Sequence, residues 1–102
     1  MGPGLLESVY DEALAHEFAS RGIRFERQKE IRLTYKGKDV GWYRVDHLVE
    51  GEVLVALKTV ETLKGIHEAQ MITYLRALNK RVGLLINFNV ERFSEGIKRV
   101  TL

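Results

Sequence analysis

The chain has 102 residues, 45% hydrophobic and 29% charged, with a formal net charge of +2. That length supports a single domain across residues 1–102 with one modest core. No apolar run approaches the roughly 20 residues needed to span a membrane. Cysteine is absent, which excludes disulfides and thiolate metal sites. With a start that lacks a signal-peptide pattern, this leads to the expectation of a cytoplasmic protein with no membrane partner.

Leu5, Leu6, Val9, Tyr10, Ala13, Leu14 and Phe18 recur at helical spacing and predict an amphipathic helix over about 4–21, with Gly22 placed to cap it. Phe25, Ile31, Leu33 and Tyr35 predict extended structure over about 24–35. Lys36-Gly37-Lys38-Asp39 is a hairpin turn into a strand carrying Val40, Trp42 and Val45, and Glu50-Gly51 makes a second turn. Val53 to Leu57 is continuously apolar, as expected of a central strand buried on both faces. A second helix is predicted over about 66–78, with Ala69, Ile72, Leu75 and Leu78 inward. Strands over 81–88 and 97–102 follow. A strand-helix-strand order after residue 52 implies a crossover with parallel pairing. The expected fold is α/β, a mixed sheet flanked by helices in the order α-β-β-β-α-β-β.

Charge is unevenly spread. Residues 1–20 hold four acids and no Lys or Arg, whereas residues 21–38 hold seven bases against Glu26 and Glu30. Arg24, Arg27, Lys29, Arg32, Lys36 and Lys38, with Arg44 beyond them, are the candidate contacts to a nucleic-acid backbone; a solvated, charged hairpin explains the same pattern equally well. Tyr35, Trp42 and Tyr43 nearby are either stacking platforms or, more commonly, core and hairpin-face residues.

The most telling stretch is Asp46-His47-Leu48-Val49-Glu50-Gly51-Glu52-Val53-Leu54-Val55-Ala56-Leu57-Lys58. An Asp near the end of one strand, followed on the next by x-Leu-Lys, is how a metal-dependent nuclease carries its first metal ligand and its lysine. Phosphodiester hydrolysis needs carboxylate-held Mg²⁺, an activated water and a cation near the phosphate. In that scheme Asp46 is a direct ligand, the Leu57 carbonyl adds an oxygen, and Lys58 serves the water or the developing charge. Alternation places Leu54, Ala56 and Lys58 on one face and turns His47 away from Asp46. Taken alone, Asp46 and Lys58 read more readily as a turn-proximal surface acid and a strand-end lysine, because this spacing often occurs by accident. Glu7 sits in a Gly4-x-x-Glu7-x-x-Tyr10 pattern, and an inward carboxylate there needs a partner such as a metal, its water or Lys58. Its alternative is a helix-dipole glutamate. Gln70, one turn before Tyr74, is placed to hydrogen-bond a phosphate oxygen or a metal-bound water; otherwise it is an ordinary surface residue. No Gly-rich phosphate loop, nucleophile elbow or zinc spacing is present in the sequence.

Gly4-x-x-Glu7-x-x-Tyr10, Arg44-Val45-Asp46-His47, Val55-Ala56-Leu57-Lys58, His67-Glu68-Ala69-Gln70 with Tyr74-Leu75-Arg76, Val82 to Phe88, and Lys98-Arg99-Val100 occur in this order. Together they resemble the small bacterial GxxExxY proteins grouped with the PD-(D/E)XK nuclease superfamily. The resemblance implies a common nuclease core with a Mg²⁺ or Mn²⁺ site. It matches Glu7 to the helix glutamate, Asp46 to the metal-binding aspartate, Lys58 to the lysine and Gln70 to the later glutamine. Ala56 stands where the family's E-L-K triplet has Glu, which removes one acceptor and one negative charge and weakens the metal site. Glu61 or Glu68 would be the source of a substitute acid. The family resemblance also leads one to expect a further helix ahead of Gly4, whose loss would leave an apolar patch suited to dimer contacts.

Two readings follow. One is a metal-dependent phosphodiester hydrolase acting on DNA in preference to RNA, inactive or impaired at Ala56. The other is a non-catalytic pseudo-nuclease that binds nucleic acid or assembles with protein. A homodimer is left open by both.

Overall fold

A computed structural model describes residues 3–88 and 96–102, with side chains described from residue 7 onward. Among the described residues, seven elements follow in the expected order: α1 (Pro3–Ser20), β1 (Phe25–Tyr35), β2 (Lys38–Val49), β3 (Val53–Lys58), α2 (Gly65–Leu78), β4 (Val82–Asn87) and β5 (Ile97–Thr101). The five strands form one mixed sheet in the order β1-β2-β3-β4-β5. β3 and β4 run parallel, joined by the α2 crossover, and the other neighbours are antiparallel.

The turns form where the sequence places them. Lys36 and Gly37 both adopt left-handed φ, 51° and 78°, which suits a two-residue hairpin closed by the Tyr35–Lys38 pair. Glu50 and Gly51 do the same at 54° and 67° between β2 and β3. Gly22, at 68°, ends α1.

β3 is buried on both faces because each face meets a different helix. Leu54 and Ala56 join Ile31, Val45, Leu48, Leu85 and Val100 beneath Met71 and Leu75 of α2. Val55 and Leu57 join Ile86 and Leu14 of α1 on the other side. Gly83 lies close under α2, and a Cβ there would run into the Met71 side chain, which would have to shift.

Two helix-face expectations need correction. Ala69 is exposed, and the buried line of α2 runs through Met71 and Leu75, one turn apart; Ala69 is two residues out of phase with Met71. Ile72 and Leu78 are half-buried at its flank. On α1, Val9 and Ala13 face outward, while Tyr10, Leu14 and Phe18 turn inward around buried Ala15. The side chains of Leu5 and Leu6 lie outside the described residues.

The sheet changes face once. Arg27 and His47 reach Asp11 of α1, and Phe25 packs on Phe18 of α1. Ile31 and Val45, at the same strand parity, belong to the α2-side core. The switch falls at Gln28 and Asp46, which stand opposite each other between the pairs Arg27–His47 and Lys29–Val45, and are the position missing from that ladder. Gln28 has a left-handed φ of 54°. A left-handed residue breaks the alternation of a strand, so side chains before and after it exchange faces.

Candidate active site

The backbone pairing of β2 with β3 covers only His47–Val55, Leu48–Leu54 and Val49–Val53. Beyond it the strands fork: β2 continues along β1, and β3 continues along β4. Asp46 is the first residue past the fork on β2, and Ala56 is its counterpart on β3. At the fork the Leu57 N–H donates to Asp46 Oδ2 at 2.7 Å, so a side chain takes over where the backbone ladder ends. Asp46 thus has a structural reason to be there, independent of any chemistry.

Asp46, Leu57 and Gln28 from the sheet, with Glu7, Ser8 and Asp11 from α1, line an open polar pocket of about 210 Å³. Glu7 and Asp11 are one turn apart and so share the inward face of α1. Glu7 Oε1 accepts from the Thr59 hydroxyl at 2.9 Å, which ties the helix to the residue after Lys58. Tyr10, the last residue of the same motif, stacks on Phe88 at 4.0 Å between ring centroids, nearly parallel at 6°. The G-x-x-E-x-x-Y pattern is therefore a docking device as well as a source of a carboxylate.

Asp46 is half-buried, and its carboxyl is pushed above the ordinary range, first by burial and further by the charge of Asp11. The Leu57 N–H, His47 and Lys58 act in the opposite direction. Lys58 is thus close enough to be felt by Asp46, although it does not line the pocket. Tyr74 of α2 feels the same carboxylate: its hydroxyl is raised by burial, by Tyr43 and by Asp46.

Asp11 is the site residue that the sequence reading missed. Its Oδ2 accepts from Arg27 at 2.6 Å, and its Oδ1 lies 2.5 Å from His47 Nε2. The second approach is short enough for an ion pair but not aligned as a hydrogen bond, and both His47 nitrogens remain without one. His47 is wholly buried between the rings of Phe18 and Phe25. The expectation that His47 turns away from the Asp46 side is corrected here: the face switch at Gln28 and Asp46 brings both neighbours toward α1. An i,i+4 spacing from Glu7 was the available signal for Asp11.

Loop placement after β3 is set by Asn87, buried at 1% exposure. Its amide accepts from Val60 N at 3.1 Å and donates to Val60 O at 2.8 Å. Phe88 N donates to Lys58 O at 2.9 Å. These bonds fix Lys58 and Thr59 relative to β4.

Ala56 is 6% exposed and packed in the α2-side core. Gln70 stands exposed on α2, on the far face from α1, and does not line the pocket. Of the two substitute acids, Glu68 is held by Lys98 at 2.5 Å, and Glu61 is exposed in the loop after β3. His67 accepts from Lys64 N at 2.9 Å and caps α2. Among the described residues, no group of three or more His, Asp or Glu side chains converges as a metal site. The oxygens at the fork, from Glu7, Asp11 and Asp46, are hard donors of the kind Mg²⁺ or Mn²⁺ takes, and Ala56 offers none.

Many of the basic residues are already partnered. Arg24 pairs with Glu50, Arg27 with Asp11 and Glu12, Lys29 with Glu26, and Arg32 with Glu30 and Asp39. Arg27 is held charged by Glu12 and then Asp11. Lys36, Lys38 and Arg44 make no ion pair among the described residues. Arg44 covers the Trp42 ring at 5.1 Å, Lys36 lies over Tyr35 at 5.5 Å, and Tyr43 packs on Tyr74.

A profile of the PD-(D/E)XK nuclease superfamily matches residues 1–100, and the chain belongs to that superfamily. Its members typically work with divalent metal ions on nucleic acid. No curated protein sequence matches. The fold is similar to the crystal structure of SSO0001, with a TM-score of 0.69 at 18% identity, covering 96% of this chain and 50% of that one. It is also similar to an alkaline exonuclease (LHK-Exo) from Laribacter hongkongensis, with a TM-score of 0.59 at 15% identity, covering 92% of this chain and 55% of that one. The chain thus spans about half the length of each, and at these identities the likeness is one of fold.

Proposed function

We propose that the chain is a metal-dependent phosphodiester hydrolase domain of the GxxExxY group, built to act on DNA and impaired at Ala56. The observation that carries this reading is the strand fork, where Asp46 meets Glu7 and Asp11 of α1 within electrostatic reach of Lys58. Asp46 would hold the ion directly, the Leu57 carbonyl would add an oxygen, and Glu7 would contribute directly or through water. The ion, Mg²⁺ or Mn²⁺, would supply Lewis-acid activation of the phosphate and of water. Lys58, fixed by the bonds around Val60 and Phe88, would stabilise charge developing on the phosphate. Gln70 would act on the phosphate only if substrate spanned from the α1 side to α2. Lys36, Lys38 and Arg44 are the uncommitted cations for a nucleic-acid backbone. Arg24, Arg27, Lys29 and Arg32 would have to exchange carboxylates for phosphates. A domain this small would grip a duplex best as a homodimer, in the cytoplasm.

The second reading is a pseudo-nuclease that binds nucleic acid without cutting it. It is favoured by one observation: position 56 is absorbed into the apolar core with Leu54, Met71 and Leu75.

Plasmid and oligonucleotide cleavage in Mn²⁺ and Mg²⁺, with this chain beside its Ala56→Glu variant, tests the proposal. Cleavage by the variant alone supports it. Failure of both on every DNA and RNA substrate removes it. Salt-dependent binding without cleavage then leaves the pseudo-nuclease reading.

A further inference from the structure

Among the described residues, Gln28 lines the pocket without a side-chain hydrogen bond of its own, and it stands across β1 and β2 from Asp46. The two are direct cross-strand counterparts, with Arg27–His47 on one side and Lys29–Val45 on the other. Gln28 also lines the pocket with Glu7, Ser8, Asp11 and Asp46. Its φ of 54° is one that glycine takes freely and asparagine tolerates, and that glutamine seldom adopts. A sheet that needed only a kink here would be served better by Gly. The side chain is exposed and makes no hydrogen bond to any described residue, so its amide is free to donate.

The pocket's electrostatics give that amide a task. Three carboxylates surround the space, and a phosphate entering it needs a donor that does not itself bind the carboxylates. Arg27, the adjacent β1 cation, is committed to Asp11 and Glu12. A neutral amide donates to a phosphate oxygen without adding negative charge or competing for a cation. Resting on the proposed nuclease reading, we infer that Gln28 is a substrate-contacting residue that donates a hydrogen bond to a phosphate oxygen beside Asp46, with the left-handed backbone at 28 serving to aim it.

The test uses Gln28→Gly, which keeps the backbone and deletes the amide, and Gln28→Asn, which keeps an amide and accepts the φ. Ser20→Ala, which removes an exposed hydroxyl at the C-terminal end of α1 away from the pocket, is the comparison. In the Ala56→Glu background, single-turnover cleavage of a fluorescent DNA duplex in Mn²⁺ should fall about 100-fold for Gln28→Gly, the scale of one lost transition-state donor. Gln28→Asn should fall by clearly less, and Ser20→Ala should match the parent. The melting temperature of Gln28→Gly should equal or exceed the parent's, and its Mn²⁺-induced rise should be unchanged. Equal cleavage rates would overturn the inference and leave Gln28 as a sheet kink. Loss of the Mn²⁺-induced rise would also overturn it, by assigning Gln28 to the metal. If Ala56→Glu cuts nothing, the nuclease reading fails separately, and fluorescence anisotropy of this chain on the same duplex decides for Gln28. Weakening by about tenfold in Gln28→Gly sustains the contact, and unchanged affinity removes it.

Discussion

Helices α2 and α1 pack against opposite faces of the same central strand, and by different means. Beneath α2 the contact is apolar and dry: Met71 and Leu75 cover Leu54, Ala56 and Leu85, each at 6% exposure or less. Beneath α1 only part of the contact is apolar, and much of the attachment is polar. Glu7 holds Thr59, Asp11 meets Arg27 and His47, and Tyr10 stacks on Phe88. Apolar burial is insensitive to what binds nearby. Carboxylates docked on hydroxyls and guanidinium groups can exchange those partners for a metal or a phosphate. The α2 face thus carries stability, and the α1 face carries the residues able to do chemistry.

The largest effects should come from breaking the dry face. Leu75→Ala should destabilise the fold by about 3 kcal/mol, within the usual range for a fully buried leucine, with nucleic-acid affinity of the remaining folded protein unchanged. Urea denaturation monitored by circular dichroism, beside a binding titration, checks both halves.

Ala56→Glu moves a polar demand into that face. In EDTA the added carboxylate is buried among Leu54, Met71 and Leu85 without a partner and should cost about 3 kcal/mol. Mn²⁺ should restore more stability to this variant than to the parent, and thermal melts with and without the ion measure the difference. Equal Mn²⁺ responses would mean that position 56 faces only the core.

The hinge between the faces is Asn87. Asn87→Ala leaves both polar groups of Val60 unpaired and should cost about 2 kcal/mol. It should also lower Mn²⁺-dependent activity of the Ala56→Glu background beyond what stability explains, because Lys58 and Thr59 lose their anchor. Asn87→Asp, which keeps the acceptor for Val60 N, should recover part of that loss.

The smallest effect lies at Asp46 itself. Its carboxyl is raised in the folded state, so the folded state holds that proton more tightly than the unfolded one. The resulting stability is fully present below the ordinary carboxylate range and is lost as pH rises through the raised value. In EDTA, Asp46→Asn should therefore stabilise the fold near neutral pH by under about 1 kcal/mol, since the group is partly solvated. The advantage should vanish as pH falls to about 4. A pH series of melts would show a constant difference if burial were not the cause.

Element order and turn positions were legible in the sequence, because each rests on local chemistry. Periodic apolar residues made the helices, β-branched and aromatic residues made the strands, and Gly22, Gly37 and Gly51 marked positions where left-handed backbone is cheap. The ordered motifs, from Glu7 to Asp46 to Lys58, carried the superfamily as well. Site geometry was less legible. Strict alternation put His47 away from Asp46, and nothing in the side-chain pattern flagged Gln28 as left-handed, because glutamine is not a residue that advertises such a φ. Ala69 was placed inward because helical periodicity gives a stripe's spacing more reliably than its phase.

The sequence by itself determined which elements form, in what order, and which acids and lysine lie near the ends of β2 and β3. Only the tertiary structure decided that the strands fork at Asp46, that Asp11 joins the pocket, and that Arg27 is spent on α1. It also decided that Asn87 anchors the loop after Lys58. The physical reason is range. Propensity and periodicity act over a few residues, whereas a fork, a face switch and an ion pair depend on which distant elements pack together.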